Sequence, residues 1–437
     1  MKRFTAIIAL SFIVLSTFGQ EKWTLEQCID YALENNIVIK QYQINTEYRQ
    51  NELTQAKYNK LPSLSASASQ SVNFGRSETL EGTYDNYTRA NTSANVGANV
   101  LIWKGGALNN AIKQNEYNFK SSLENLQKAK DDVSLNITSA YLEILFAQEL
   151  ILVAEKQVAQ TKQQLERSKQ LVQAGTIAEG TLLEVKAQLA REELELVNGK
   201  NNLQIAYLNL TQLLEFDNSA GFEVVVPQIP ELKAQMALSS STNIYNKAVE
   251  IRPEIKSAEY ELKNAEIQLD MAKGGRMPTL SAYAGVTDNY YASENSPSFN
   301  DQITGNINEN VGLSLSIPIF SKFQNRTNIE NSKLQIINNQ LDLESAKKTL
   351  RKQIEQAYVN AVAAMERYSA NKAAVQSMEE SFRYIEEKHS VGRVNPLEYN
   401  NSKTNLTIAE SNLLQAKYDF IFRSKILDFY NGIPIQL

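Results

Sequence analysis

The sequence predicts a mixed, mainly α-helical membrane protein: a duplicated set of very long supercoiled helices carrying four β-strands that each chain contributes to a shared barrel. Three observations predict it: an internal repeat, seven-residue apolar spacing in the helical parts, and four bilayer-length segments alternating with period two.

The N-terminus comes first because it sets the compartment. Lys2 and Arg3 precede an apolar run from Ala6 to Phe18, with Thr17 and Gly19 as a small-residue cleavage pattern, so residues 1–19 read as a signal peptide. No comparable apolar run is expected elsewhere, and so no transmembrane helix. Removing Lys2 and Arg3 takes the formal charge from -5 to -7, which argues against nucleic acid as a partner. Cys28 is the only cysteine, cannot pair within its own chain, and reads as a structural, partly buried thiol.

Residues 20–241 and 242–437 form two repeats. Leu61-Pro-Ser-Leu-Ser-Ala-Ser-Ala68 recurs as Met277-Pro-Thr-Leu-Ser-Ala-Tyr-Ala284, and Ala140-Tyr141 and Gly175 recur as Ala357-Tyr358 and Gly392. Each repeat reads helix, strand, polar loop, strand, very long helix, Gly turn, helix. Stripes such as Leu182, Leu189, Leu196, Leu203 and Leu210, answered by Tyr399, Leu406, Leu413, Phe420 and Leu427, repeat every seven residues and so predict supercoiled helices. Small residues accompany some stripes, as Thr161 and Ser168 follow Val158 and Leu165. A soluble coiled-coil bundle would explain the stripes equally well.

The strands weigh against that. Segments near 62–75, 90–103, 278–290 and 310–320 alternate small or apolar residues with Ser, Asn, Gly and Thr, and each is long enough to cross a bilayer when tilted. Phe74, Trp103, Tyr290, Tyr291 and Phe320 near their ends suit an interfacial girdle. Four strands cannot close, and an open edge is not tolerated in hydrocarbon, so copies must share the barrel; two would give 8 strands and three would give 12. The polar loops 75–90 and 291–308 are expected to face the outside. Residues 107–173 and 322–390 predict unbroken helices of ~100 Å, and 24–60, 177–215, 243–274 and 396–431 shorter ones of about 50–60 Å. Between the repeats, 216–241, with Pro227 and Pro230, reads as a collar linker.

Catalytic chemistry is sparse. His389 is the single histidine, and no nucleotide-binding loop, nucleophile elbow or Cys pair occurs, so no catalytic, cofactor-binding or metal-ligating residue is assigned and no cofactor is expected. Two other readings stay open: a periplasmic coiled-coil adaptor or scaffold without membrane insertion, and an outer-membrane enzyme built in the polar loops.

The chain resembles the TolC-like outer-membrane efflux protein family over essentially its whole mature length. The resemblance rests on the duplicated order, Ala32-Leu33-Glu34-Asn35-Asn36, the strand entry at Leu61, the two Ala-Tyr pairs, and Val391-Gly392 followed by Leu397-Glu398-Tyr399 and Leu406. It implies a homotrimer with a 12-stranded β-barrel in the outer membrane and an α-barrel tube across the periplasm. It also implies a passive conduit for efflux or type I secretion, fed by a periplasmic adaptor (membrane fusion) protein and an inner-membrane pump or secretion ATPase. Adaptor docking is expected at the tips, Gly175-Thr176-Ile177 and Gly392-Arg393-Val394. In the family, acidic residues six and nine positions after the tip glycine ring the entrance. Here Glu398 and Asn401 follow Gly392, while Thr181 and Glu184 follow Gly175, so each repeat keeps one acid of two.

Overall fold

Corresponding helices of the two repeats are equal in length. The computed structural model describes residues 22–78, 82–227, 240–292 and 296–437. Helices α1 (Leu25–Asn35) and α5 (Ser241–Ile251) have 11 residues each, and α2 (Ile37–Tyr58) and α6 (Pro253–Gly274) have 22. The long helices α3 (Ala107–Gln173) and α8 (Gln324–Ser390) have 67 each, and α4 (Glu179–Leu213) and α9 (Pro396–Tyr430) have 35. The predicted signal peptide lies outside the described residues, as do 228–239 of the linker and 79–81 and 293–295 of the loops.

Two helices expected to be continuous are broken. Asn36 adopts an extended conformation between α1 and α2, and its amide donates to the Leu213 carbonyl (3.0 Å). The exposed N–H groups that begin α2 are capped by the Glu215 carboxylate, which accepts from Ile37 N (3.0 Å), and by the Asn36 side-chain Oδ1, which accepts from Val38 N (3.0 Å). Between α5 and α6, Pro253 forces Arg252 into the extended region and then occupies the first turn, where its missing N–H costs nothing.

Four antiparallel strands, β1 (Ser63–Glu78), β2 (Tyr84–Lys104), β3 (Thr279–Ala292) and β4 (Asn308–Ser316), pair in chain order. Strands β1 and β2 stay paired to Glu78 and Tyr84, so most of the expected 75–90 loop is ladder. Strand β4 stops short of the expected 320 because Pro318 has no N–H to donate. The β3–β4 connection holds a helix the alternation did not predict, α7 (Phe299–Gly305). Its buried Gln302 accepts from Tyr291 N and donates to Tyr291 O, both at 2.8 Å.

The chain divides into two compact units, each drawing on both repeats. One comprises Gln41–Lys128 and Val249–Leu350 and contains the sheet. Its helices pack through small and polar residues: Ser121 donates to Glu261 (2.8 Å) and lies 3.0 Å from Ser257, whose hydroxyl reaches Asn125 (3.1 Å). At its strand-to-helix corner, Gly105 (φ 51°) and Gly106 (φ 79°) are left-handed. A Cβ on Gly105 would stand 2.7 Å from the Gly274 carbonyl oxygen, so α6 and the corner meet backbone to backbone.

The other unit comprises residues up to Lys40, Ala129–Ala248 and Arg351–Leu437. Tyr141 is buried and donates to the carbonyls of Val225 (2.6 Å) and Trp23 (3.1 Å), while Trp23 and Val224 form a parallel bridge. Trp23, Tyr31, Phe216 and Phe222 cluster around this stitch. Cys28 is fully buried rather than partly so, and burial, then Glu26, pushes its thiol up to about 12, where it is inert. One stretch of α3 does meet the length and composition test for a membrane span, contrary to expectation. Nearly half of it is buried: Ile137, Tyr141, Leu142, Ile144 and Leu145 are core residues of this unit, which accounts for its apolar character.

Candidate channel-forming sheet and helix tips

Strand register places the alternating residues of all four strands on common faces. Leu64, Ala98, Ala284 and Val311 form one continuous row, with Val100, Ala282 and Leu313 in another. This face is apolar and uncovered; Leu64 is 76% and Val311 86% exposed. The opposite face carries Ser65, Gly97, Gly285 and Asn310 in one row and Ser63, Asn99, Tyr283 and Gly312 in the next. Tyr283 lies over Gly312, so near that a Cβ there would meet its ring at 2.5 Å.

An apolar face backed by a polar one is the pattern of a strand wall between lipid and water. The edges β1 and β4 have no further strand partner among the described residues. Of the girdle aromatics, Trp103 and Phe320 mark the helix end of the sheet, while Phe74 and Tyr290 mark the hairpin end. Tyr291 falls on the polar face, paired with Asn91.

Both helix tips end on a left-handed glycine, Gly175 (φ 71°) and Gly392 (φ 74°). Beyond each, Thr176 N donates to Leu171 O and Arg393 N to Lys388 O, both at 2.9 Å, closing Schellman-type caps. A Cβ on either glycine would meet nothing within 4 Å, so backbone conformation alone demands glycine there. Ile177 and Val394 are half-buried. Glu184 in the second turn of α4 and Glu398 in the first turn of α9 are exposed, and neither has an ion-pair partner among the described residues. Glu398 N is capped by Asn395 (2.8 Å). Thr181 is half-buried and Asn401 exposed. The two glutamates stand at different positions of the repeat, Glu184 answering to Asn401 and Glu398 to Thr181, and are not in contact.

Sequence reasoning missed a buried charge beside these tips. Lys403 on α9 donates to Glu192 on α4 (3.1 Å), to the Gln157 carbonyl on α3 (3.2 Å) and to the Thr161 hydroxyl. Only 5% and 7% of the Lys403 and Glu192 side chains are exposed. Desolvation holds the Lys403 ammonium below its ordinary range, opposed by attraction to Glu192. The available signal was position: Lys403 falls between Tyr399 and Leu406, and Glu192 between Leu189 and Leu196, on the apolar stripes.

His389 stacks on Tyr399 with ring centroids 4.4 Å apart. Burial and then Arg167 lower its pKa from the ordinary 6.5. Below 6.5 the unfolded chain therefore binds more protons than the folded one, and the unit should lose stability as pH falls through that value. Thermal midpoints of wild type and His389→Phe between pH 7.5 and 5 should diverge, with the variant lacking this part of the slope; parallel curves would remove the role of His389.

Residues 28–215 and 244–428 match the outer membrane efflux protein family. The chain belongs to that family. The outer membrane efflux protein BepC of Brucella suis biovar 1 (strain 1330) is 21% identical over 429 residues, covering 97% of this chain and 88% of the relative. Outer membrane protein TolC of Escherichia coli (strain K12) is 23% identical over 309 residues; the match takes 68% of this chain and spans only 60% of TolC. Among solved structures, the Campylobacter jejuni CmeC outer membrane channel superposes with a TM-score of 0.78 at 20% identity, covering 93% of this chain and 85% of that one. This outer membrane efflux protein thus has an outer-membrane channel fold, in a family of channel proteins rather than enzymes. The periplasmic adaptor alternative is not favoured, since it leaves the apolar sheet face without a purpose.

Proposed function

We propose that three copies of this chain close a single 12-stranded barrel and form a passive outer-membrane conduit of a tripartite efflux or type I secretion system. The observation that carries this is the open-edged sheet, whose apolar face and two edges no described residue covers. A buried edge without partners is costly in hydrocarbon, and pairing β4 of one copy with β1 of the next satisfies it. Residues 1–19 serve as the cleaved leader, and 20–241 and 242–437 as the two structural repeats. The tips Gly175-Thr176-Ile177 and Gly392-Arg393-Val394 dock a periplasmic adaptor, which links the conduit to an inner-membrane pump or secretion ATPase. Glu184 and Glu398 form the entrance gate, with Thr181 and Asn401 in the two positions lacking acids. Threefold symmetry gathers three copies of each glutamate toward one axis, where low-dielectric walls focus their field.

The test is recording from purified trimers in planar bilayers. Channels should be cation-selective, and Glu184→Gln with Glu398→Gln should reduce that selectivity. A monodisperse monomer without conductance would sink the conduit, whereas unchanged selectivity in the double variant would remove only the gate.

A further inference from the structure

We propose that each chain carries two equivalent sites for the phosphate of an anionic phospholipid, at the level where the sheet turns into helix. This rests on the reading that the sheet spans the outer membrane, so the lipid belongs to the leaflet on the helix side. The first site is a groove of about 410 Å³. Lys60 and Lys104 line it together with Leu101, Trp103, Gly106 and Leu108. Both lysines are exposed, and neither has a carboxylate partner among the described residues. Two free ammonium groups over an apolar wall suit a phosphodiester that carries acyl chains, whereas a free phosphate would use only the charges.

The duplication supplies the second site. Arg276 answers to Lys60, Ile319 to Ile102 and Phe320 to Trp103, while the charge of Lys104 moves one position on, from Ser321 to Lys322. Arg276, Lys322 and Arg326 are likewise exposed, with no carboxylate partner among the described residues. The four sheet-to-helix crossings, 57–62, 103–108, 273–279 and 318–328, hold no aspartate or glutamate, although the chain as a whole is acidic. Ile319 (95% exposed) continues the parity of Val311, Leu313 and Leu315, so the second site is continuous with the lipid-facing sheet face.

Backbone conformation gives an independent reason. Lys322 (φ 50°) and Phe323 (φ 63°) occupy the left-handed positions that glycines 105 and 106 fill in the first repeat. The remaining non-glycine residue of this kind among those described, Glu215 (φ 61°), answers to Gly432 (φ 73°), and its side chain has a visible task in capping Ile37. The Lys322 side chain has no hydrogen-bond or ion-pair partner among the described residues, and Phe323, 64% exposed, meets Phe320 edge-on. Strain kept for a side chain with no partner in its own chain points to a partner outside it.

Native mass spectrometry of the intact trimer, released from micelles with equal phosphatidylglycerol and phosphatidylcholine of matched chains, tests this. Phosphatidylglycerol should be retained preferentially. Lys60→Gln with Lys104→Gln, or Arg276→Gln with Lys322→Gln, should each weaken retention about fivefold per charge removed at that site. Lys322→Gly, which also relieves the strain, should weaken it while raising thermal stability. Equal retention of the two lipids by wild type would overturn the proposal without any variant. Competition by glycerol phosphate as effective as intact lipid would overturn the lipid assignment in favour of a free-phosphate site. Bilayer conductance of the same preparation separates the readings: conducting trimers without lipid selectivity refute these sites alone, and trimers that never insert refute the membrane reading beneath them.

Discussion

Lys403→Met is expected to destabilise its helical unit by about 3–5 kcal/mol, because Glu192 then remains buried without a counter-charge. The double variant Lys403→Met with Glu192→Leu should recover most of that loss, since removing both charges also removes both desolvation costs. Gln157 and Thr161 are left as modest unsatisfied groups, which limits the recovery. Thermal unfolding of the detergent-purified protein, followed by circular dichroism, measures both variants against wild type. A double variant as unstable as the single one would show that the loss came from packing and not from the orphaned carboxylate. The pair also distinguishes the repeats: the residues equivalent to Glu192 and Lys403 are Ala409 and Lys186, so only one of two possible helix pairings completes it.

The second large effect is expected at the strand-to-helix corner. Gly105→Ala places a Cβ 2.7 Å from the Gly274 carbonyl oxygen and 2.9 Å from the Met277 side chain, and also strains a left-handed backbone. Overpacking and strain together should cost about 3 kcal/mol or more. Gly175→Ala meets open space and incurs only the conformational term, about 1–2 kcal/mol. The fraction of heat-resistant oligomer on gels should therefore collapse for Gly105→Ala and fall little for Gly175→Ala. Equal losses would mean that the corner tolerates separation of the two backbones.

Much of this structure was legible because it repeats. Alternation over Leu64 to Phe74 and over Val311 to Leu315 gave the membrane face directly, since a strand has one side-chain period and the register did not disturb it. Gly175 and Gly392 marked the tips because a left-handed helix end favours glycine. The break at Arg252 was available in Pro253 and passed over. That at Asn36 was not, for its causes are Leu213 and Glu215, far away in sequence. Helix α7 is held by the bonds of Gln302 to Tyr291, and no local periodicity reports those. The candidate gate glutamates were named by their distance from the tip glycines, whereas Lys403 and Glu192, 211 residues apart, show their pairing only in the packed structure.

The pairing of β2 with β3 also constrains the order of events in folding. The β1–β2 hairpin closes over a few residues near Glu78 and Tyr84 and can zip as soon as both strands emerge. Ala98 meets Ala284 only after α3, α4, α5 and α6 have been delivered. Contacts so distant along the chain form slowly, and meanwhile the hairpin exposes an unpaired edge with apolar side chains on one face. For much of its time in the periplasm a newly exported chain is therefore an aggregation hazard, and its yield is decided by how quickly α3 and its partners let β3 arrive.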